Sequence, residues 1–352
     1  MYDNFKDKLE NFFIELWYKK KYSYTAKILT PFSGLYYLGY ITRNYYYEKF
    51  SDYSDNETPI ITVGNITVGG TGKTPFTISL AKFLKSLGYH PVIVTKNYNF
   101  KNAIKQNFFK VIDENDSIET TGDEPAVLWN NLKDLDINVV LCKERKFAVN
   151  KINELKLGNI ILTDDGLQDY SIKSDIKICL LDTLRHLGNK NLLPKGPLRE
   201  PAENLNKFDF VLYKTFNNYG DNFFLESKCF VDIKNNQEHN LDKFRQKTVY
   251  AIAGIANPEG FYISLRALEV NPVCMSFADH YNFQETDLIQ YNDFPLVMTE
   301  KDAVKINFFK DKLVNQNIYY LKVEAILSEK FKQTLTKKLQ RLKINLREQK
   351  VG

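Results

Sequence analysis

The stretch that most limits what this chain can become is Thr58 to Gly88, TPIITVGNITVGGTGKTPFTISLAKFLKSLG. Thr58 to Val63 is a β-branched run suited to a buried parallel strand, and Pro75 to Gly88 has helical periodicity closed by a glycine stop. A glycine-rich turn between a strand and a helix is the context of a phosphate cradle. Backbone N–H groups and the positive helix end face the anion, and glycine lets the backbone approach it. The stretch departs from G-x-x-x-x-G-K-[ST] at its first glycine position, which is Thr67. Thr67, Gly69, Gly70, Thr71, Gly72, Lys73 and Thr74 are the expected nucleotide-binding residues, with Lys73 on the β- and γ-phosphates and the Thr74 hydroxyl on magnesium. Pro75 is tolerated at an early helical position, where its missing N–H would have no partner.

Such a cradle needs an acidic residue at the end of a neighbouring hydrophobic strand. NIILTDDGLQDY, Asn159 to Tyr170, supplies Asp164 and Asp165 after Ile160, Ile161 and Leu162, and both carboxylates are candidate magnesium ligands. NKFD, Asn206 to Asp209, matches the guanine-reading N-K-x-D pattern but precedes a strand rather than following one. It is therefore assigned a structural role, and ATP is the expected nucleotide. In TTGDEPAVLW, Thr120 to Trp129, Asp123 and Glu124 stand at the start of a helix, with Thr121 available as its cap and Glu124 three residues on.

The bulk numbers fit an enzyme of this kind without requiring one. The 352 residues are long enough for two cores, and 43% hydrophobic with 26% charged is ordinary globular composition. A net charge of +5 suits an anionic ligand or membrane surface, and no arginine-rich stripe with interleaved aromatics points to nucleic acid. Cys142, Cys179, Cys229 and Cys274 form no C-x-x-C pair, which argues against a zinc site or a disulfide framework.

Residues 1 to 50 stand apart, with 16 aromatic side chains against 14% aromatic for the whole chain. Leu9, Phe13, Leu16 and Trp17 fall at helical spacing, Lys19, Lys20 and Lys21 follow, and the run from Ile28 to Thr42 is uncharged. Fifteen residues containing Pro31 and Gly34 are short of the ~20 needed to span a bilayer. Two readings stay open: an amphipathic segment in the headgroup region of an anionic membrane, or aromatic helices packed on the domain surface.

Strands alternate with helices from Pro59 to about Thr215, as PIITV, PVIVT, INVVLC, NIILT, IKICLLD and FDFVLY. The fold class expected is α/β: a P-loop kinase-like parallel sheet flanked by helices, a second smaller α/β domain, and an N-terminal amphipathic aromatic helical segment. The expected division is 1–50, 51–215 and 216–352, with the last helix free to pack on either domain.

The strings VGNITVGGTGKTP, GDEP, DDGLQ, GNKNLLPKGPLREP, FADHYNF and TEKDAVK occur in the order and spacing of one family. From about Thr30 to Lys305 the chain resembles the tetraacyldisaccharide 4′-kinases of lipid A synthesis, and that family itself carries threonine at position 67. The resemblance implies ATP- and Mg²⁺-dependent transfer of the γ-phosphoryl group to the 4′-hydroxyl of a tetraacyldisaccharide 1-phosphate, giving lipid IV-A. It also implies a monotopic enzyme on the cytoplasmic face of the bacterial inner membrane, whose partners are an acylated disaccharide lipid and an anionic membrane surface. Carried over by position, Asp123 would be the base and His280 its partner, with Lys73 and Arg199 also catalytic. Glu124, Gln168, Arg199 and Glu200 would face substrate, and Thr74, Asp164 and Asp165 would hold the metal.

Two positions break the family pattern. Where a Ser-Arg-Gly-Tyr-Gly run is usual, this chain reads TKNYN, Thr95 to Asn99, and Asp169 stands where histidine is usual. The rivals are a membrane-associated P-loop ATPase acting as a switch, which leaves GPLREP without a reason, and a soluble small-molecule kinase or ligase.

Overall fold

The structure is a computed structural model that describes residues 9, 12–18, 23–50, 57–96, 107–215, 222–307, 309–314 and 316–349. The basic run Lys19 to Lys21 and the positions Asn97 to Asn99 lie outside the described residues. The chain forms two compact units, each assembled from separate stretches of sequence. One comprises residues 12–115, 128–225 and 325–352, and the other residues 1–11, 116–127 and 226–324.

In the larger unit the helices α1 (described over residues 12–18), α2 (Ser23–Ile28) and α3 (Thr30–Phe50) precede the sheet. The sheet strands are β1 (Ile60–Gly64), β2 (Pro91–Lys96), β3 (Phe109–Val111), β4 (Asn138–Cys142), β5 (Ile160–Thr163), β6 (Ile176–Asp182), β7 (Phe210–Thr215) and the start of β8 (Phe223–Asp232). Their spatial order is β8-β7-β6-β1-β5-β2-β4-β3. All pairings are parallel except β3 on β4, a three-residue antiparallel edge too short to leave a signal in the sequence. Ile61 pairs with both Leu162 and Ile176, so β1 is central. The chain leaves β1 toward β2 on one side and returns through β6 and β7 on the other. That reversal opens a crevice at the carboxyl ends of the strands, where ligands bind in sheets of this kind. The strands read as continuous apolar runs because both faces are covered: Ile60, Ile61 and Val63 are fully buried, as are Val92, Ile93 and Val94.

The helix α4 (Lys73–Ser86) follows β1 directly and buries Phe76, Leu80 and Leu84. The last helix, α11 (Glu329–Gln349), also packs in this unit: Phe331, Leu335 and Leu339 are buried, and Phe331 meets Phe76 tilted at 5.8 Å and Phe210 edge-on at 5.0 Å.

The smaller unit holds the parallel strands β11 (Asn271–Ser276), β10 (Thr248–Ala253), β12 (Leu296–Thr299) and β13 (Ile318–Leu327), in that spatial order. Phe230, Val249, Leu265, Val297 and Leu321 lie in its core on one side, and Ile252, Phe283, Leu296, Met298 and Ile318 on the other. The short helix α10 (Glu300–Ile306) starts at the end of β12, capped by the Thr299 hydroxyl, which accepts from the Asp302 N–H. Among the described residues no helix is long and apolar enough to cross a membrane.

Candidate functional site

The phosphate loop is built by two left-handed turns and a borrowed strand. Gly69 at φ 117° and Gly72 at φ 81° adopt backbone angles that a side chain disfavours, and Gly72 is the residue from which α4 starts. Thr67 is buried and bridges to Leu198, while Val68 N–H donates to Pro197 O at 2.9 Å and Arg199 N–H donates to Ile66 O at 2.8 Å. The GPLREP segment therefore forms a miniature ladder against the lead-in of the loop. That pairing is what position 67 does structurally, and a residue with strand propensity suits it better than glycine. The Thr71 hydroxyl is buried and has no protein partner, so a phosphate oxygen at the loop would satisfy it.

Lys73 reaches Asp165 at 3.6 Å, and Arg199 Nη1 donates to both oxygens of Asp165 at 3.0 Å. Burial alone would raise the Asp165 carboxyl, but Lys73 and Arg199 outweigh it and bring it down to about 2. Asp164 is buried, and its Oδ1 accepts from the Thr77 hydroxyl at 3.3 Å. Thr74, Asp164 and Asp165 offer oxygen only, and few ligands. That donor set fits Mg²⁺, which keeps waters and takes the rest of its shell from nucleotide phosphates. Gln168 Nε2 donates to Asn65 O at 2.9 Å and to Glu200 Oε1 at 2.7 Å, and its Oε1 accepts from Arg199 at 3.4 Å. Lys73, Asp165, Gln168, Arg199 and Glu200 thus make one connected cluster. Arg185 was not foreseen from sequence: a Cβ on Gly69 would come within 3.1 Å of its guanidinium.

The two departures from the family pattern meet in space. Lys96 Nζ lies 2.6 Å from Asp169 Oδ2, and the same oxygen accepts from Arg145 Nη1 at 2.9 Å. Arg145, buried at the start of α7 (Arg145–Leu155), also donates to the main-chain carbonyls of Asp164 and Asp165. Lys96 and Asp169 therefore hold between them the Arg145 guanidinium that braces the acidic turn. Asp169 is raised by burial, but Arg145 and Lys96 more than reverse this and hold it well below its ordinary 3.8. Its stabilisation is present above that value and is lost only as pH falls below it. At neutral pH Asp169→Asn should cost about 3 kcal/mol, because it strands two cations. In a melting experiment that is a fall of roughly 6–12 °C in Tm, and an unchanged Tm would show that the cluster carries no stability.

In the smaller unit Asp123 opens α6 (Asp123–Leu132) and His280 sits at φ 59° in the turn after β11. His280 Nδ1 and Asp123 Oδ2 are 2.9 Å apart. These residues are 157 positions apart in sequence but belong to one compact unit. Lys301 and Lys305, on α10, lie 3.8 and 3.7 Å from Asp123, and Lys301 also holds Glu124 at 2.9 Å. Neither lysine was named in advance. The available signal was TEKDAVK, in which lysines four apart share a helix face just after a buried strand. Asp302, fully buried between them, accepts from Gly254 N–H at 2.9 Å and from Lys305 at 2.8 Å, which locks α10 to the end of β10. Burial would raise the Asp123 carboxyl; the His280 hydrogen bond and the charges of Lys301, His280 and Lys305 hold it well below the carboxylate range. His280 is raised above 6.5, chiefly by its bond to Asp123.

One detail of the sequence reading, the capping box at Thr121, resolves differently. Thr121 does not cap α6: it ends the short helix α5 (Ile118–Thr121), Gly122 turns the chain at φ 85°, and the Thr121 hydroxyl donates to Ser117 O. Glu124, free of that box, pairs with Lys301. The NKFD segment serves structure, since Asp209 accepts from Lys177 N–H at 2.7 Å and meets Lys338.

Residues 25–340 match the tetraacyldisaccharide-1-P 4′-kinase family. The chain is 37% identical over 313 residues to a tetraacyldisaccharide 4′-kinase of Ruthia magnifica subsp. Calyptogena magnifica, covering 88% of this chain and 96% of the relative. It is 39% identical over 325 residues to one from Legionella pneumophila (strain Lens), covering 91% and 95%. A crystal structure of LpxK from Aquifex aeolicus in complex with ATP superposes with a TM-score of 0.72 at 26% identity, covering 90% of this chain and 99% of that one. A phosphate loop, an acidic strand end and a paired Asp123 and His280 thus occur in a chain whose length is matched almost throughout by these enzymes, and the chain belongs to the tetraacyldisaccharide 4′-kinase family.

Proposed function

We propose that the protein transfers the γ-phosphoryl group of ATP to the 4′-hydroxyl of a tetraacyldisaccharide 1-phosphate, the step of lipid A synthesis that yields lipid IV-A. The observation that carries this is Asp123 held by an imidazole and two lysines in a chain matching the kinase family over residues 25–340. A switch ATPase has no need of such a carboxylate.

A sugar hydroxyl is a weak nucleophile, and Asp123 accepts its proton as the new P–O bond forms. His280 and the lysines keep the carboxylate ionised and oriented. On the nucleotide, the loop N–H groups and Lys73 bind the phosphates, and Arg199 answers the charge that develops on the transferring group. Thr74, Asp164 and Asp165 would hold Mg²⁺, which when bound would supply positive charge against the phosphates. Glu124, Gln168 and Glu200 shape the acceptor side.

The helix α3 supports a peripheral membrane location on the cytoplasmic face of the inner membrane. None of its 21 residues is buried, and Phe32, Leu35 and Leu38 are 57%, 68% and 60% exposed. A contiguous apolar face of this kind is unusual on a soluble monomer and suits the interface of an anionic bilayer, with Lys27 and Lys49 at the margins.

The test is γ-phosphate transfer from Mg-ATP to a tetraacyldisaccharide 1-phosphate in detergent. A phosphorylated lipid is expected; ATP hydrolysis by folded protein with no lipid product would overturn the proposal in favour of the switch. In parallel, Leu35→Ser with Leu38→Ser should reduce co-sedimentation with anionic vesicles by about 30-fold or more, since each apolar side chain lost from the interface weakens partitioning by more than about 1 kcal/mol. Unchanged co-sedimentation would remove α3 from the membrane reading.

A further inference from the structure

The side of α3 that faces the protein is as specific as its outer face is apolar. Ser33, Tyr36, Tyr40, Arg43 and Tyr47 recur at alternating spacings of three and four, which places them on one stripe. Ser33 Oγ donates to Leu192 O at 3.0 Å and accepts from Lys195 N–H at 3.1 Å. Tyr36 OH donates to Arg199 O at 2.8 Å, and Arg43 Nη2 donates to Gln168 O at 2.8 Å. The Asn204 amide links Tyr40 OH to Glu200, reaching Oε2 of Glu200 at 2.9 Å. Arg43 also lies over the Tyr170 ring at 5.5 Å, and Tyr47 packs on the same ring.

Each bond ends on a loop of the phosphate cluster. Tyr36 holds the main chain of Arg199, whose guanidinium bonds Asp165 beside Lys73. Arg43 holds the main chain of Gln168, which bonds Arg199, Glu200 and Asn65 O. Because α3 buries no residue completely, directional hydrogen bonds rather than packing set where it sits. The connection from the helix to Lys73 is continuous.

We infer that Tyr36, Tyr40 and Arg43 are positioning residues for phosphoryl transfer: the inner stripe of α3 fixes the loops that aim Arg199 and Asp165 at the phosphate. This rests on the proposed role of that cluster. One helix then presents an apolar face outward and sets the catalytic loops inward, so its placement and turnover are coupled.

The test uses the full chain in detergent. Tyr36→Phe removes one hydroxyl and leaves the outer face intact; Arg43→Met removes the guanidinium. Each should lower kcat by about tenfold, the scale of one lost hydrogen bond in a connected network, with KM for ATP changed less than about twofold. Vesicle co-sedimentation should be unchanged for Tyr36→Phe. In the Arg199→Lys background the effect of Tyr36→Phe should largely vanish, because the two act as a unit, whereas independent effects on folding would multiply. Normal kcat in both variants, independent effects with Arg199→Lys, or a loss confined to vesicles and matched by weaker co-sedimentation would each overturn the inference. If the wild-type chain hydrolyses Mg-ATP but phosphorylates no lipid, the functional proposal fails, and the same cycle read on hydrolysis still decides the positioning role.

Discussion

Asp123→Ala is expected to lower turnover by about 100-fold or more while ATP binding stays largely intact, the scale on which a general base contributes. The geometry explains why the loss should be in turnover. Asp123 accepts from His280 and sits within 3.8 Å of Lys301 and Lys305, so its carboxylate is ionised throughout the neutral range. Such a group is a weak base in the ground state. Phosphoryl transfer, however, asks the protein mainly for position and charge, and an acceptor fixed in place meets that demand. Single-turnover transfer and ATP binding, measured separately, test this. A collapse of ATP affinity with normal residual turnover would make Asp123 a nucleotide contact instead.

The same pair predicts a pH signature. His280 is raised above 6.5 mainly by Asp123, so the imidazolium bond contributes fully below 6.5 and is lost as pH rises through the raised value. Asp123→Asn removes the main raising partner and leaves Lys301 opposing the charge, with Asp279 the weaker support that remains. The imidazole should then titrate lower, as followed by its ring resonances; an unmoved titration would mean the bond is not formed in solution.

Lys73→Met should cost about 10²–10³ in turnover, the range for one charged or hydrogen-bonding group aimed at developing charge. Unlike Asp123→Ala, it should also weaken ATP binding, because in the proposed mechanism Lys73 meets the phosphates before transfer as well as during it. The structure adds a second consequence. Lys73 and Arg199, with a smaller contribution from Arg145, hold Asp165 down to about 2, so removing the lysine leaves Asp165 chiefly to Arg199. Substitution by arginine, which keeps the charge but places a planar fork on a turn built for a point charge, is not expected to restore the rate. Recovery of most activity in Lys73→Arg would show that charge alone suffices.

The phosphate loop and the acidic strand end were legible because they are local. A β-branched run, a turn with glycines at positions needing positive φ, and a periodic helix all lie within 31 consecutive residues, Thr58 to Gly88. The parallel sheet was legible for a similar reason, since buried strands read as apolar runs whatever their neighbours. Lys301, Lys305 and Arg145 were not singled out, because a lysine or arginine on a helix is ordinarily a solvated charge, and only the buried carboxylates beside these make them exceptional.

The sequence by itself determined the α/β class, the phosphate loop, the acidic pair and, through motifs in a distinctive order, the family. Those properties rest on neighbours in the chain, whose spacing backbone geometry converts directly into structure. Only the tertiary structure decided that Lys96 pairs with Asp169, that Asp123 meets His280 and two lysines of α10, and that the tyrosines of α3 divide between an outer apolar face and an inner bonded stripe. Each of these is a pairing across 73 or more positions, apart from the helix faces. Such a pairing is worth energy only where burial removes competing water, and burial is a property of the fold rather than of the chain.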